Sequence, residues 1–453
     1  MYKGVCRTER LSVMSGEDFI DVKGVKPEEY LKVTKEDIQS YIQAQTLIME
    51  CGKSQNVPVD YIKSCPYIMS FMENYVLKKN IKEACEKEEQ NIEAANKPLL
   101  WLKKKQIENY EELPEVNARL KMLKEEVFEQ SAEKLLWCPP TKPYYELDGA
   151  YKNIKDFSKT LVFSSWEMVP KMISTLVSYE EERKIRSWKK ENRKGYSAYK
   201  HGARLKLEIE KLGGKQLFSE LYPSNYLASI YNPIAYLNSK KTIDEIKNEL
   251  KTIISKRLNT LKKYEANGDN NDWYVAALLL FDSNEYVNEW LSTINASKQD
   301  IEIEESDDET DEIIDEFEEE ISASKKEKRD ADKRYKNCIA KVEKLFNNMN
   351  LGKQPEDLSD FLVNVAMGSF STCYYRSCKN FRPYSDGNSA LIKTPSYNAT
   401  EFGRAFIRNF NTPEAMEVLD YVDQSNEEDD TGNYLSRVYR YCINGCCQGM
   451  LDE

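Results

Sequence analysis

A single histidine, His201, supplies all the imidazole in 453 residues. A paired-His zinc site and the two-His metalloprotease motif are therefore excluded, and a Cys or Ser nucleophile has one candidate base. His201 stands in Tyr199-Lys-His-Gly-Ala-Arg204, a polar basic stretch that reads as a solvated loop. No apolar run approaches the ~20 residues that a membrane span needs. The opening Met1-Tyr-Lys-Gly-Val-Cys-Arg7 lacks the apolar core of a secretory signal. Together these absences predict a cytoplasmic chain with no membrane partner. Its 11 Cys, irregularly spaced, are then expected as reduced thiols and not as a disulfide framework. The steps between Cys373, Cys378, Cys442, Cys446 and Cys447 lack the two-residue knuckle spacing. Small buried apolar residues are expected there, and no metal site.

What the chain has in quantity is charge, unevenly placed. The net value of −12 argues against a nucleic acid wrapped by the whole protein. From Arg183 to Lys206, however, ten Lys and Arg face only Glu191, and Trp188, Tyr196 and Tyr199 are interleaved with them. Such a run suits a phosphate backbone with stacked bases, or else a solvated face with no partner. Glu302 to Glu320 is dominated by Asp and Glu and has few apolar residues to bury, so it reads as a mobile tether.

Helical periodicity dominates the remainder. Thr34-Lys-Glu-Asp37 is a capping signature before Ile38, Tyr41, Ile42, Gln45 and Ile48, which predicts a helix running to Cys51-Gly52. Further helices are expected over about 59–76, 78–97, 116–136, 222–231, 243–264, 331–349, 358–379 and 436–451. Asp272-Trp-Tyr-Val-Ala-Ala-Leu-Leu-Leu-Phe281 is a buried apolar element of undecided type, and 267–271 is expected as a turn.

One segment breaks the helical pattern. Lys159-Thr-Leu-Val-Phe-Ser-Ser-Trp166 carries a short apolar, β-branched run that suits a buried parallel strand. Behind it Val169, Met172, Ile173, Leu176 and Val177 fall on one helical stripe, with Pro170 tolerated only in the first turn. The helix should open near Glu167, and Ser164 stands three residues before it, as in a capping box. This strand-turn-helix, with its Phe-Ser-Ser-Trp corner, resembles helicase motif IV, which opens the second RecA-like domain of superfamily-two helicases. The segments Leu136-Trp-Cys-Pro-Pro-Thr-Lys-Pro-Tyr-Tyr145, Tyr61-Ile-Lys-Ser-Cys-Pro-Tyr-Ile-Met-Ser-Phe-Met72 and Cys6-Arg-Thr-Glu-Arg10 are similar to the interior of long bacterial helicase-like proteins of the chromatin-remodeller type.

The ATP-binding motifs of that family do not occur here. Gly213-Gly-Lys215-Gln216 ends in Gln where a hydroxyl would ligate the metal, and Ile209 stands in place of the leading Gly. Asp311-Glu-Ile-Ile314 lies inside the acidic run and not at the end of an apolar strand. Gly403-Arg-Ala-Phe-Ile-Arg408 has one residue too many for the Arg-finger motif; an amphipathic helix with Phe402, Phe406 and Phe410 inward explains it. The resemblance places the first-domain motifs upstream of Cys6 and the Arg finger downstream of Glu453.

The expected architecture is a predominantly α-helical, multi-domain chain with a small α/β, partial RecA-like element. The expected divisions are a helical linker over 1–136, the motif IV strand and helix over 137–184, a helical insertion with the basic run over 185–300, an acidic tether over 301–330 and further helices over 331–453. The resemblance implies an ATP-dependent DNA helicase or translocase of bacterial phage defence, of which this chain is an inactive section. ATP and Mg would belong to the intact protein, and a neighbouring chain would supply the missing motifs. Nucleic-acid contacts are expected at Ser164, Ser165, Trp166, Lys189, Lys190, Arg193 and Lys194. The alternative is a helical protein-interaction or scaffold module.

Overall fold

The computed structural model describes residues 33–50, 66–71, 75–86, 99–129, 131–135, 143–152, 154, 162–164, 166, 168–189, 203–239, 241–304, 318–381, 394–424 and 431–452. Among the described residues there are eighteen α-helices and one short strand, so the chain is predominantly α-helical. It divides into two compact units: 1–133 with 159–199, and 134–158 with 200–453. The expected boundaries at 136 and 184 are thus displaced, and residues 134–158 pack with the second unit.

The first unit holds helices α1 (Lys35–Glu50), α2 (Ile68–Phe71), α3 (Val76–Glu86), α4 (Lys104–Glu108), α5 (Ala118–Glu129) and α6 (Met168–Lys189). α1 begins where its capping signature predicts. Asp37 Oδ2 accepts from Thr34 N at 2.6 Å and from Thr34 Oγ1 at 2.7 Å, while Thr34 Oγ1 accepts from Asp37 N at 3.3 Å. The other oxygen of Asp37 accepts from Ala118 N at 2.6 Å, so one carboxylate ties the starts of α1 and α5 together. α6 carries Pro170 in its first turn and buries Val169, Met172 and Leu176, the stripe read from the sequence.

The strand expected before α6 is not observed in its described part. Residues 162–164 have no regular structure, and Val162 and Phe163 are exposed, Phe163 by 77%. Residues 159–161 lie outside the described residues. A strand needs a neighbour for its main-chain groups, and an α/β element has none here among the described residues.

The second unit comprises α7 (Leu212–Leu217), α8 (Asn225–Ile230), α9 (Ile243–Leu261), β1 (Glu265–Asp269), α10 (Trp273–Phe281), α11 (Asn284–Glu304), α12 (Glu318–Asn347), α13 (Leu358–Gly368), α14 (Phe370–Phe381), α15 (Pro395–Phe410), α16 (Pro413–Asp423), α17 (Thr431–Asn444) and α18 (Cys447–Asp452). The undecided apolar element is α10, buried on every side except at Leu280. A helix surrounded by core has no polar face, which is why no period was legible. Where a turn was expected over 267–271, β1 makes parallel bridges to Leu351. Gly268 is required there, because a Cβ would lie 1.8 Å from the Asn350 carbonyl oxygen. The expected tether is shortened from both ends, since α11 runs to Glu304 and α12 starts at Glu318; 305–317 lie outside the described residues.

Candidate functional site

The corner at Ser164 and Trp166 forms a tight turn. Ser164 Oγ accepts the Trp166 main-chain N–H at 3.1 Å, two residues on. The capping partner proposed for it, Glu167, lies outside the described residues, as does Ser165. Trp166 is half-buried against the hydrophobic cluster of the first unit, so its indole is packing material and not an exposed stacking platform.

The basic run is divided. Lys190, Arg193, Lys194 and His201, with the side chain of Lys189, lie outside the described residues. Its two flanks are committed internally. Arg183 grips Glu180 with two bonds, at 3.0 and 2.7 Å. Lys184 lies 3.7 Å from the centre of the Phe128 ring, and Arg186 lies 4.5 Å from that of Tyr110. Arg204 chelates Asp420 at 2.6 and 2.9 Å, and Arg437 reaches the same carboxylate at 3.0 Å. Arg183 and Arg204 thus serve the fold; the described part of the run offers no continuous basic track.

Lys215 is buried in α7, with its ammonium 2.5 Å from Asp269 and 2.7 Å from Asp272. Two of its three N–H donors are thus taken by carboxylates, whose combined charge more than cancels its own. It borders an open pocket of about 330 Å³ whose apolar wall includes Val342 and Leu345 and whose polar groups include Lys341, Lys344, Asn348 and Asn350. Gly403 lies within α15, with Phe406 and Phe410 buried and Phe402 packed against them, as the amphipathic reading requires. Among the described residues no group of three or more potential metal ligands gathers. Cys373 and Cys447 both point at the Met367 carbonyl, at 3.4 and 3.7 Å.

Two buried groups escaped sequence reasoning. Glu220 is fully buried, and its carboxyl is pushed up to about 8 by loss of water. Its Oε2 accepts from Phe370 N at 3.0 Å, while Oε1 has no hydrogen-bond partner. Around it Ser369 and Ser371 donate to the Ser219 carbonyl at 2.8 and 3.1 Å, and Ser219 pairs with Tyr439 at 2.6 Å. Arg376, also buried, donates to the carbonyls of Ala228 (3.0 Å), Leu227 (3.3 Å) and Ala366 (2.6 Å), and to Gln448 Oε1 at 2.6 Å. Its charge therefore sits on the carbonyl ends of α8 and α13, where helix dipoles favour a cation. No local pattern announces either residue, because every partner named is distant in sequence.

No family model, curated protein or solved structure matches this chain. Its function is therefore argued from its own residues. Glu220 and Arg376 are enclosed by protein on all sides. They act as polar junctions between helices. Among the described residues, the corner at Ser164 and the basic and polar groups around the open pocket reach solvent.

Proposed function

We propose that this chain is a section of a DNA-acting, ATP-driven helicase that provides nucleic-acid contacts and spacing, while its ATP site is formed elsewhere. The observation that supports the reading is the corner at Ser164. An apolar segment ends in a Ser turn, α6 begins two residues after Trp166, and Val162 and Phe163 face solvent. Uncovered apolar residues at such a corner are what a segment presents when its packing partner belongs to another section or chain. ATP and Mg belong to that missing part; Lys215, held by two carboxylates, does not offer itself to them.

Filter binding of single-stranded DNA across a salt series tests the proposal. Binding that weakens steeply with salt is the expected result. Replacing Lys189, Lys190, Arg193 and Lys194 by Ala should weaken it, and unchanged affinity would remove the basic run from the interface. A purified chain that turns over ATP would overturn the division of labour, and one that binds no DNA would overturn the reading.

The second reading is a helical scaffold that binds another protein. It is favoured by the enclosed polar junctions of the second unit, which consume the charges of Arg204, Arg376 and Arg437 internally. Capture of a defined partner that survives high salt supports it, since phosphate contacts would not.

A further inference from the structure

Cysteines in the second unit are expected from sequence as small apolar fillers, but Cys373 and Cys447 are held as a polar pair. Cys373, in the first turn of α14, and Cys447, which opens α18, are both fully buried. Their sulfurs converge on one acceptor, the Met367 carbonyl at the end of α13, at 3.4 and 3.7 Å. The Cys447 thiol also hydrogen-bonds to Cys373, so two thiols from distant parts of the sequence are in direct contact. On the other side of Cys373, Arg376 Nη1 lies 3.6 Å from the sulfur. The remaining acceptors of this buried guanidinium are three carbonyls and the Gln448 amide oxygen, and none is a carboxylate. Asp452 stands one bond further out, accepting from Gln448 Nε2 at 2.7 Å.

A buried cation without a carboxylate is costly, and a Cys373 thiolate offsets it in the first turn of a helix, where the dipole also favours an anion. The Cys373 thiol is drawn below its ordinary value by the hydrogen bond from Cys447, then by Arg376, against the opposing effects of burial and Asp452. A purely structural role, counter-charge to Arg376, explains that much. It does not explain why a second thiol is bonded to the first. Nor does it explain Tyr231, whose buried hydroxyl has no hydrogen-bond partner and lies within electrostatic reach of Cys373, Cys446 and Cys447. The Arg376 guanidinium, 4.8 Å from the centre of the Tyr231 ring, holds that ring in place. A donor left over beside a nucleophilic sulfur suits an oxygen atom added to that sulfur.

We propose that Cys373 and Cys447 form an oxidisable dithiol whose oxidant is a small hydroperoxide. The Cys373 sulfur attacks hydrogen peroxide: an S–O bond forms, the O–O bond breaks, and the departing hydroxide takes the thiol proton and leaves as water. The oxygen of the resulting sulfenic acid accepts from the Tyr231 hydroxyl. Cys447 then attacks the same sulfur, the S–O bond breaks, and a second water leaves. Across both steps the thiols lose two electrons and two protons, which reduce one peroxide to two waters. The disulfide ties α14 to α18 and removes the counter-charge of Arg376. Neither thiol reaches solvent while α18 is seated. A helix of six residues is too short to be stable unaided, and its local opening admits an oxidant little larger than water. This inference is independent of the nucleic-acid reading.

In the experiment the full-length protein is treated with hydrogen peroxide, unfolded in an alkylating reagent, digested and mapped by mass spectrometry. The expected product is a linked pair of peptides, lighter by two hydrogens than the separate thiol peptides and split by dithiothreitol. Fragmentation should assign the bond to Cys373 and Cys447, and not to Cys442 or Cys446 of the same peptide. Cys447→Ser should stop at the sulfenic acid of Cys373, trapped as a dimedone adduct, whereas Cys373→Ser should leave Cys447 alkylatable. Recovery of both residues as alkylated thiols, under peroxide that oxidises the part-exposed Cys378, would overturn the proposal. So would a linkage of either residue to another cysteine. Unchanged circular dichroism during treatment shows that the bond forms in the folded protein, and a linkage that appears only as this signal is lost counts against it. If a Ser variant fails to fold, the wild-type map decides by itself.

Discussion

Glu220 Oε2 accepts the Phe370 main-chain N–H at 3.0 Å, joining two residues 150 positions apart. The bond places a carboxyl at the start of α14, immediately after α13 ends at Gly368. Ser369, with extended backbone (φ −68°, ψ 126°), separates the two helices there. The continuous helix expected over 358–379 is interrupted where the Phe370 main-chain N–H is satisfied by the Glu220 carboxyl and not by a helical carbonyl.

This buried carboxyl should make stability fall with rising pH. Its folded value is raised from 4.5 to about 8 by burial. The stabilising contribution is therefore complete below the unfolded value and lost as pH rises toward the folded one. The total is on the order of 5 kcal/mol. Melting temperatures of wild type and Glu220→Gln, which cannot ionise, should lie closest at the acid end of that window and separate as pH rises. Parallel curves would show that Glu220 is not the group responsible.

Gly403→Ala should be severely destabilising. A Cβ at 403 would lie 1.7 Å from the Glu220 carbonyl oxygen, a main-chain atom with little room to retreat. Overpacking of this kind costs about 1–3 kcal/mol or more. Urea midpoints of the two proteins, with unchanged slope, provide the measurement.

Asp420→Asn should cost about 3–5 kcal/mol, because two buried guanidinium groups, Arg204 and Arg437, lose their shared counter-charge. If exposed pairing were all that held them, the loss would be under about 1 kcal/mol. Thermal unfolding distinguishes these outcomes, and Asp420→Glu, which keeps the charge but shifts it outward, should fall between them.

In the first unit, Asp37→Ala should remove the carboxylate half of the α1 capping box, the acceptor for Thr34 N, together with the acceptor for Ala118 N. A lost cap costs about 0.5–2 kcal/mol. Amide exchange should accelerate at 38–40 and also at 118, a separation that a purely local cap would not produce.

Much of the fold was legible where its cause was local. The Thr34 and Thr242 caps sit within one turn of the residues they bond, and the stripe of α6 repeats at the helical period, so each is written in a short window. α10 was not legible as a helix, because a segment buried all round shows no alternation of polar and apolar residues. The candidate site was less legible still. Trp166, expected at a nucleic-acid contact, packs against a core cluster. Arg183 and Arg204, within a run expected to meet phosphates or to form a solvated face, each have a carboxylate within 3 Å. Charge on a sequence is free until folding brings its partner.

A single histidine by itself determined that no paired-His zinc site can be built from this chain. Helical period and capping residues determined most of its secondary structure, since those bonds join positions three or four apart. Tertiary structure alone decided where helices break, which cations remain available and which acid is buried. Arg204 and Asp420 are 216 positions apart, and Arg376 meets Ala228 across 148. Bonds over such distances depend on the path of the whole chain, and no local window contains them.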